Sequence, residues 1–169
     1  MHSCTAVSDV LMLHLLQLKV LRQLITAGFI DQVAVRKDRV EKGAASGDQF
    51  TTTRGVPYRA LGIDDDVFIH PTSVLVNSPP PEFIVFLEVV RTSKVWIKGS
   101  SSKIPFAHDG VLNMLVGLTV VNPAWLSQLG KSLCTFSKPV KTKEGTAVVI
   151  PHFGPGGWEL PPVKHSTES

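Results

Sequence analysis

The sequence has few of the residues on which common classes of site depend. Only two cysteines occur in 169 residues, Cys4 and Cys134, and their separation does not match the spacing of zinc ligands. Both thiols are expected to be free, in a reducing compartment. No apolar run approaches the ~20 residues of a membrane span. The apolar residues 10–18 lack the basic segment and the cleavage site of a signal peptide.

The sequence also lacks the motifs of nucleotide hydrolysis and of covalent catalysis. It contains no GxxxxGKS or GxxxxGKT phosphate loop, and no nucleophile and base can be placed as a pair. The acidic run Asp64–Asp66 lacks the alternating oxygen ligands of a calcium loop, so we expect a tight turn there. We therefore predict no catalytic residue and no metal ligand, and the sequence disfavours an independent enzyme.

The composition is that of a small globular protein with a weak positive charge. Hydrophobic residues make up 43% of the chain, which is enough for a core, whereas charged residues reach only 18%, against about 25% in average soluble domains. The formal net charge of +3 favours anionic partners only slightly, because 14 acidic residues accompany 17 basic ones. The length predicts one domain, or one domain and part of another.

The first part of the chain predicts one helix and two strands. Apolar residues recur every three or four positions from Ser8 to Thr26 and cover most of the helical circumference, so this helix requires partners on several sides. Gln32–Arg36 alternates as a half-buried strand does, and the charged residues 36–39 are expected in solvent. After a glycine-rich loop at residues 41–55, residues 56–61 predict a second short strand.

The middle part predicts strands with a polar outer surface. Residues 67–69 and 74–76 are apolar and rich in β-branched side chains, and the prolines at 79–81 must form a corner because they donate no N–H. Residues 83–96 predict a further strand, which ends in a basic segment. Twisted strands with Arg, Lys, Thr and Ser outside predict a small barrel that contacts a phosphate backbone. The predicted fold class is therefore mainly β with flanking helices.

Short motifs in this part resemble those of DEAH-box RNA helicases. IHPTS, residues 69–73, is similar to the IHPSS-type segment of that family. A proline-bearing turn, the run FIVFLEVV (residues 83–90) and the strand TSKVWIK (residues 92–98) follow in the order that the family uses. The resemblance implies the C-terminal region of such a helicase, which has an oligonucleotide/oligosaccharide-binding (OB) fold. It is closest to the nucleolar, snoRNA-releasing subgroup that acts in small-subunit ribosome assembly.

The resemblance implies three parts. Residues 1–30 would be the terminal helix of a preceding helical domain, and residues 31–134 an OB-fold-like small barrel that ends in a helix. Residues 135–169 would be an incomplete, β-rich C-terminal extension in which Trp158 is partly exposed. Residues 100–117 do not align with the family pattern, because their removal joins VWIKG directly to LTVVNPAWL. We expect this insertion to be either a retained intron or a natural surface loop.

The resemblance also implies a non-catalytic role for this chain. The phosphate loop, the DEAH box and the arginine finger of the motor are absent, so ATP and Mg²⁺ would bind elsewhere in a full helicase and this fragment would be inactive by itself. The implied role is to contact single-stranded RNA, as pre-rRNA or in a snoRNA-containing particle. The implied protein partners are the helicase core and an activator protein, in nucleolar ribosome biogenesis.

Two sets of residues are candidates for these roles. The expected contacts with the RNA backbone are Lys94, Thr92, Ser93, Lys98 and Arg91. The residues expected to form a structural turn are His70, Pro71 and Ser73. The alternative function is a protein–protein interaction module with an OB-like barrel and no RNA role, and the salt dependence of RNA binding separates the two.

Overall fold

The computed structural model describes residues 3–41, 49–92 and 111–165. Two α-helices lie in this part of the chain, α1 (Ser3–Gly28) and α2 (Pro123–Leu129). None of the helices among these residues combines the length and the hydropathy needed to cross a bilayer. The strands are β1 (Val33–Arg36), β2 (Tyr58–Ala60), β3 (Ile63–Ile69), β4 (Phe83–Val85), β5 (Glu88–Thr92), β6 (Leu112–Val116), β7 (Thr119–Val120), β8 (Cys134–Phe136), β9 (Val140–Lys141), β10 (Ala147–Val149), β11 (Pro151–Phe153), β12 (Trp158–Glu159) and β13 (Val163–Lys164).

The first seven strands form one mixed sheet in the order β5-β6-β3-β2-β1-β4-β7. β3 and β6 run parallel, and the other neighbouring pairs are antiparallel. Within the described residues, no hydrogen-bonded pairing joins the end strands β5 and β7, so the sheet is not closed there. The predicted fold class, mainly β with flanking helices, is confirmed.

β1 lies in the core because both of its faces are covered. All four of its residues are buried. Val33 and Val35 belong to an apolar cluster that includes Phe83 and Val85 of β4, whereas Ala34 belongs to a second cluster. Since successive side chains of a strand point to opposite faces, this alternation places one cluster on each side of the sheet. The sheet is thus a shared layer between two apolar clusters.

α1 is packed against the sheet at only one of its ends. It extends beyond the predicted helix at both termini. Ile25 packs against the cluster of Val33 and Val35, and Thr26 is fully buried. Nearer the N-terminus the leucines stay in solvent, with Leu11 60% and Leu15 56% exposed. This part of α1 therefore presents an apolar surface that the described residues do not cover.

Residues Cys134–Lys164 form a bent three-stranded arrangement, which we call the C-terminal ribbon. Each of its three chain passes contributes one strand to an inner sheet, in the order β12-β11-β8, and one to an outer sheet, in the order β13-β10-β9. Only Ile150 separates β10 from β11. Phe153, Trp158 and Leu160 of the inner part are buried in the same cluster as Val33. The expectation that Trp158 is partly exposed is wrong, because its exposure is only 7%.

Three local predictions are wrong. Residues 74–76 are a turn and not a strand, because backbone bonds such as Val76 N–H to Ser73 O close the chain locally. Asp64–Asp66 lies inside β3 and does not form a turn. The single strand predicted at residues 83–96 is divided at Phe86 and Leu87 into β4 and β5, and its residues 93–96 lie outside the described part.

The unaligned segment at residues 100–117 contains a strand of the sheet. β6 lies between β5 and β3, and it pairs with β3 through Phe68 and Met114 and with β5 through Val90 and Met114. Met114 is 3% and Leu115 0% exposed. The expectation of a surface loop is therefore wrong for residues 112–116, because these side chains fill the core. The retained-intron hypothesis and the three domain boundaries stay predictions.

Candidate nucleic-acid interface

The predicted RNA contacts fall at and beyond the end of β5. Arg91 and Thr92 are the last residues of β5, opposite Asn113 and Leu112 of β6. Arg91 is exposed and Thr92 is half-buried. The other three candidates, Ser93, Lys94 and Lys98, lie outside the described residues. Because β5 is an end strand of the sheet that the described residues form, Arg91 lies at the edge of this sheet.

The residues predicted to form a structural turn lie together directly after β3. The backbone N–H of His70 donates to Leu115 O at 3.1 Å, and Ser73 N–H donates to His70 O at 2.9 Å. The backbone N–H of Thr72 donates to His70 Nδ1 at 3.2 Å. The Thr72 hydroxyl oxygen lies 2.8 Å from the same Nδ1, and the tautomer of the ring decides which of the two groups donates. Pro71 is exposed at the tip.

Arg36 is a buried structural residue, contrary to the prediction that residues 36–39 are in solvent. It is 5% exposed, and its Nε lies 2.6 Å from Asp38 Oδ1. Its Nη1 donates to Pro80 O at 2.8 Å, while the buried hydroxyl of Tyr58 donates to Pro81 O at 2.8 Å. A buried charge requires such partners. Arg36 and Tyr58 thus hold the proline corner in place.

Two further basic residues, in or near the 3-10 turn Lys37–Arg39 that follows β1, form ion pairs with carboxylates. Lys37 Nζ lies 2.8 Å from Asp66 Oδ2 and 3.5 Å from Glu41 Oε2. Arg59 binds Glu41, and its Nη1 lies 3.3 Å from Asp66 Oδ1. Desolvation raises the pKa of the Glu41 carboxyl. The hydrogen bond and charge of Arg59 and the charge of Lys37 together lower it by more, so the pKa is below its ordinary value. These two cations are balanced within the protein and are poor candidates for phosphate contact.

Basic residues without such partners lie in the outer part of the C-terminal ribbon, and the sequence analysis missed them. Residues 134–165 contain four lysines against two glutamates, which gives two of the three net positive charges of the chain. No ion pair of these lysines is found in the described part of the chain. Lys141 lies opposite Ala147 and Lys164 opposite Val148, so they project on opposite faces of the outer sheet. The four exposed lysines are Lys138, Lys141, Lys143 and Lys164.

The described residues offer little to catalysis. They contain no group of three or more His, Cys, Asp or Glu side chains that could hold a metal ion. Burial raises the pKa of the Cys134 thiol, and its Sγ lies 3.9 Å from Leu126 O. A thiol with a raised pKa is a poor nucleophile at neutral pH.

Comparison with known proteins assigns the chain to a family. Residues 21–105 match the family model described as the oligonucleotide/oligosaccharide-binding (OB)-fold. The ATP-dependent RNA helicase DEAH13 of Arabidopsis thaliana is 34% identical over 152 residues, which are 85% of this chain and 10% of that relative. The probable ATP-dependent RNA helicase DHX37 of Homo sapiens is 32% identical over 157 residues, which are 88% of this chain and 11% of that relative.

A yeast relative gives the same picture at lower identity. The probable ATP-dependent RNA helicase DHR1 of Saccharomyces cerevisiae is 29% identical over 174 residues, covering 88% of this chain and 13% of that protein. The chain thus spans only about a tenth of the length of the curated relatives it matches. The chain belongs to the OB-fold family and is homologous to DEAH-box ATP-dependent RNA helicases.

Proposed function

We propose that this chain is the non-catalytic, C-terminal OB-fold region of a DEAH-box ATP-dependent RNA helicase and that it contacts single-stranded RNA. The observation that carries the proposal is the match of residues 21–105 to an oligonucleotide-binding family, together with relatives named as RNA helicases. The exposed lysines of the C-terminal ribbon support it, because sequence-independent affinity for RNA comes mainly from cations at the phosphates.

The proposed contact begins at the edge of β5. Arg91 and Thr92 end that strand, and Ser93, Lys94 and Lys98 follow directly in the sequence. Lys94 is the first candidate, because it lies within the segment TSKVWIK that resembles the helicase family. Contacts of lysine and hydroxyl groups with phosphates position RNA without selecting its sequence. The proposed binding is therefore tolerant of RNA sequence.

The wider role belongs to the same proposal. The exposed leucines near the N-terminus of α1 would pack against the helicase core, whose motor supplies ATP and Mg²⁺ binding. An activator protein would dock on the OB-fold region, and the helicase would act on pre-rRNA in ribosome biogenesis, in the nucleolus. The resemblance to the ribosome-assembly subgroup of DEAH-box helicases supports this part. It includes the segment GWELP, residues 157–161, which is similar to the start of the additional C-terminal domain of that subgroup.

Fluorescence anisotropy of a labelled single-stranded RNA, titrated with the whole chain at two salt concentrations, tests the RNA contact. We expect micromolar binding that weakens steeply with salt, because counterions leave the phosphates on binding. Lys94→Ala should weaken binding to unrelated RNA sequences alike and reduce the salt slope by about 0.7. Lys19→Ala on α1, an exposed lysine far from β5 in the sequence, is the matched control and should leave both unchanged.

Three results would overturn parts of this proposal. Absence of binding by a chain that circular dichroism shows to be folded would remove RNA contact from the isolated chain. Binding with a flat salt dependence would instead indicate a protein-binding groove, the alternative function. Equal affinities of the wild type and Lys94→Ala would remove Lys94 from the contact and leave the ribbon lysines as candidates.

A further inference from the structure

A cleft of about 450 Å³ lies between the OB-fold sheet and the C-terminal ribbon. One wall is formed by β2, the start of β3 and the turn between them, with Arg59, Leu61 and Asp64. The other wall is the turn of the ribbon that carries Pro155 and Trp158. Its volume is that of a small-ligand or side-chain pocket. The cleft contains none of the residues proposed to contact RNA.

Close packing fixes the distance between the two walls. Gly154 of the ribbon has a φ of 69°, and a β-carbon at this position would lie 2.5 Å from the Leu61 side chain. Only glycine combines this backbone conformation with such a close approach. Leu61 also packs against the apolar cluster that contains Trp158. The cleft is thus part of the packed core and keeps its shape without a ligand.

Trp158 offers the cleft a hydrogen-bond donor without a partner. Its side chain is 7% exposed and its ring centroid lies 6.3 Å from that of Phe153. The indole nitrogen lies beside Gly156, another residue of the cleft wall, where a β-carbon would come within 2.7 Å of it. No acceptor for this N–H is found among residues 3–41, 49–92 and 111–165, and no fully buried side-chain nitrogen or oxygen in that part lacks a partner. The N–H is therefore not fully buried, and it lies beside a residue of the cleft wall.

The charge at the cleft is negative. Arg59 and Lys37 are balanced by Glu41 and Asp66, as described above. Asp64 also lines the cleft; its backbone carbonyl accepts a hydrogen bond from Arg59, whereas its carboxylate has no ion pair or hydrogen bond in the part of the chain that the structure describes. An uncompensated carboxylate attracts a cation and repels a phosphate backbone. The cleft is consequently a poor site for RNA and a suitable one for a basic side chain.

We infer that the cleft binds a segment of a partner protein that inserts an arginine or lysine side chain. The cation pairs with Asp64, and its aliphatic stem lies on apolar residues of the walls such as Leu61 and Ile63, as long basic side chains do. A main-chain carbonyl of the segment accepts the indole N–H of Trp158, which is the usual way to satisfy a tryptophan at an interface. The proposed function includes the docking of a partner protein on the OB-fold region. This inference locates that docking at the cleft, and it rests on the docking part of the proposed function alone.

Nuclear magnetic resonance of the ¹⁵N-labelled whole chain tests the inference through the indole signals. The chain has three tryptophans, so it gives three indole N–H signals, and Trp158→Phe identifies the one of interest. The probe is the capped peptide acetyl-Gly-Ser-Arg-Gly-Ser-amide. The control probe is the same peptide with citrulline, which has the shape of arginine without its charge. We expect a saturable shift of the Trp158 signal with the arginine peptide and a dissociation constant about three- to fivefold weaker with citrulline.

Two neighbouring aspartates supply the matched variants. Asp64→Asn should lower the affinity for the arginine peptide about three- to fivefold and leave the affinity for the citrulline peptide unchanged. Asp65→Asn removes the same charge from an exposed neighbour that does not line the cleft, and it should change neither affinity by more than about twofold. Equal affinities of the two peptides, or equal effects of the two variants, would overturn the inference.

RNA serves as the competing ligand in the same experiment. A shift of the Trp158 signal by oligouridine and not by the arginine peptide would assign the cleft to RNA and overturn the inference. Loss of RNA affinity in the anisotropy experiment, by contrast, leaves the indole shift unaffected. The two measurements therefore fail independently.

Discussion

The guanidinium of Arg22 lies 5.4 Å from the centroid of the Trp125 ring, and its Nε donates to Val120 O at 2.9 Å. Arg22 belongs to α1, whereas Trp125 belongs to α2 and Val120 to β7, so one side chain joins α1 to two elements that follow it far along the sequence. The docked end of α1 is therefore an integral part of the OB-fold region. The family match, which begins at residue 21, includes this end.

Arg22→Ala should lower the free energy of unfolding by about 1–3 kcal/mol. The change removes a cation–π contact and leaves the Val120 carbonyl without its donor. Urea denaturation followed by circular dichroism measures the loss. Lys19→Ala, an exposed position nearly one turn earlier on α1, is the control and should change stability by less than about 0.5 kcal/mol. Equal stabilities of Arg22→Ala and the control would contradict the role given to this contact.

Part of the fold follows from local pattern. β1 was predicted from the alternation of residues 32–36, and the pattern succeeds because the strand pairs on both sides and is covered on both faces. The local pattern does not predict the burial of Arg36. Its charge predicted solvent, yet its position at the end of a buried strand places it inside, and Asp38 two residues later supplies the carboxylate that compensates it.

Other parts depend on contacts that no local pattern contains. Residues 74–76 are apolar and rich in β-branched side chains, but no strand of the described residues pairs with them, and bonds within the turn after β3 replace the ladder. β6 was missed for the opposite reason. Its apolar residues were noticed, but only its pairing with β3 and β5, far apart in the sequence, makes residues 112–116 a strand.

The cleft and the exposed lysines of the C-terminal ribbon also could not be predicted from the sequence. Trp158 and Asp64 meet at one cleft because the ribbon folds back onto the turn between β2 and β3. Lys141 and Lys164 flank β10 only because the outer sheet pairs both of their strands with it. A regular spacing of lysines could have signalled a basic surface, but the residues that carry it lie on two strands more than twenty positions apart.

Leu115→Ala should lower the free energy of unfolding by about 2–5 kcal/mol, because Leu115 is fully buried and truncation leaves a cavity. Urea denaturation of the whole chain measures this. Val74→Ala is the control, since Val74 is 92% exposed and its truncation should cost less than about 0.5 kcal/mol. If the two variants were equally stable, β6 would not occupy its place in the sheet in solution.

Tyr58 should resist ionisation until the protein unfolds. Burial raises its pKa far above the ordinary value, more than the nearby Arg36 charge lowers it. Because the folded pKa lies above the unfolded one, Tyr58 contributes stability that is fully present below about pH 10 and is lost as pH rises above it. The chain has one tyrosine, so absorbance at 295 nm reports this group alone.

The expected titration has a single step that coincides with alkaline unfolding measured by circular dichroism. In denaturant, the step should shift to about pH 10. Tyr58→Phe should remove this contribution to the alkaline loss of stability. It should also cost about 1–2 kcal/mol at neutral pH, because Pro81 O loses its donor. Ionisation of Tyr58 near pH 10 in a folded chain would contradict its burial.

Lys141→Gln should weaken the binding of single-stranded RNA and reduce the slope of log affinity against log salt by about 0.7. The reason is that one lysine at a phosphate releases about this share of a counterion from single-stranded RNA. Lys141→Gln combined with Lys164→Gln should reduce the slope by about 1.4 if the RNA passes both faces of the outer sheet, and by about 0.7 if it passes one face. Fluorescence anisotropy at several salt concentrations gives the slopes.

Lys19→Gln provides the control for the ribbon lysines, because it removes the same charge from an exposed position on α1. If the ribbon attracts RNA only through net charge, Lys19→Gln and Lys141→Gln should have equal effects. If the ribbon touches phosphates, only the ribbon variants should change the slope, because long-range attraction is screened beyond about 10 Å at 0.1 M salt. An unchanged slope in the double variant would exclude the ribbon from the interface and leave the edge of β5 as its remaining part.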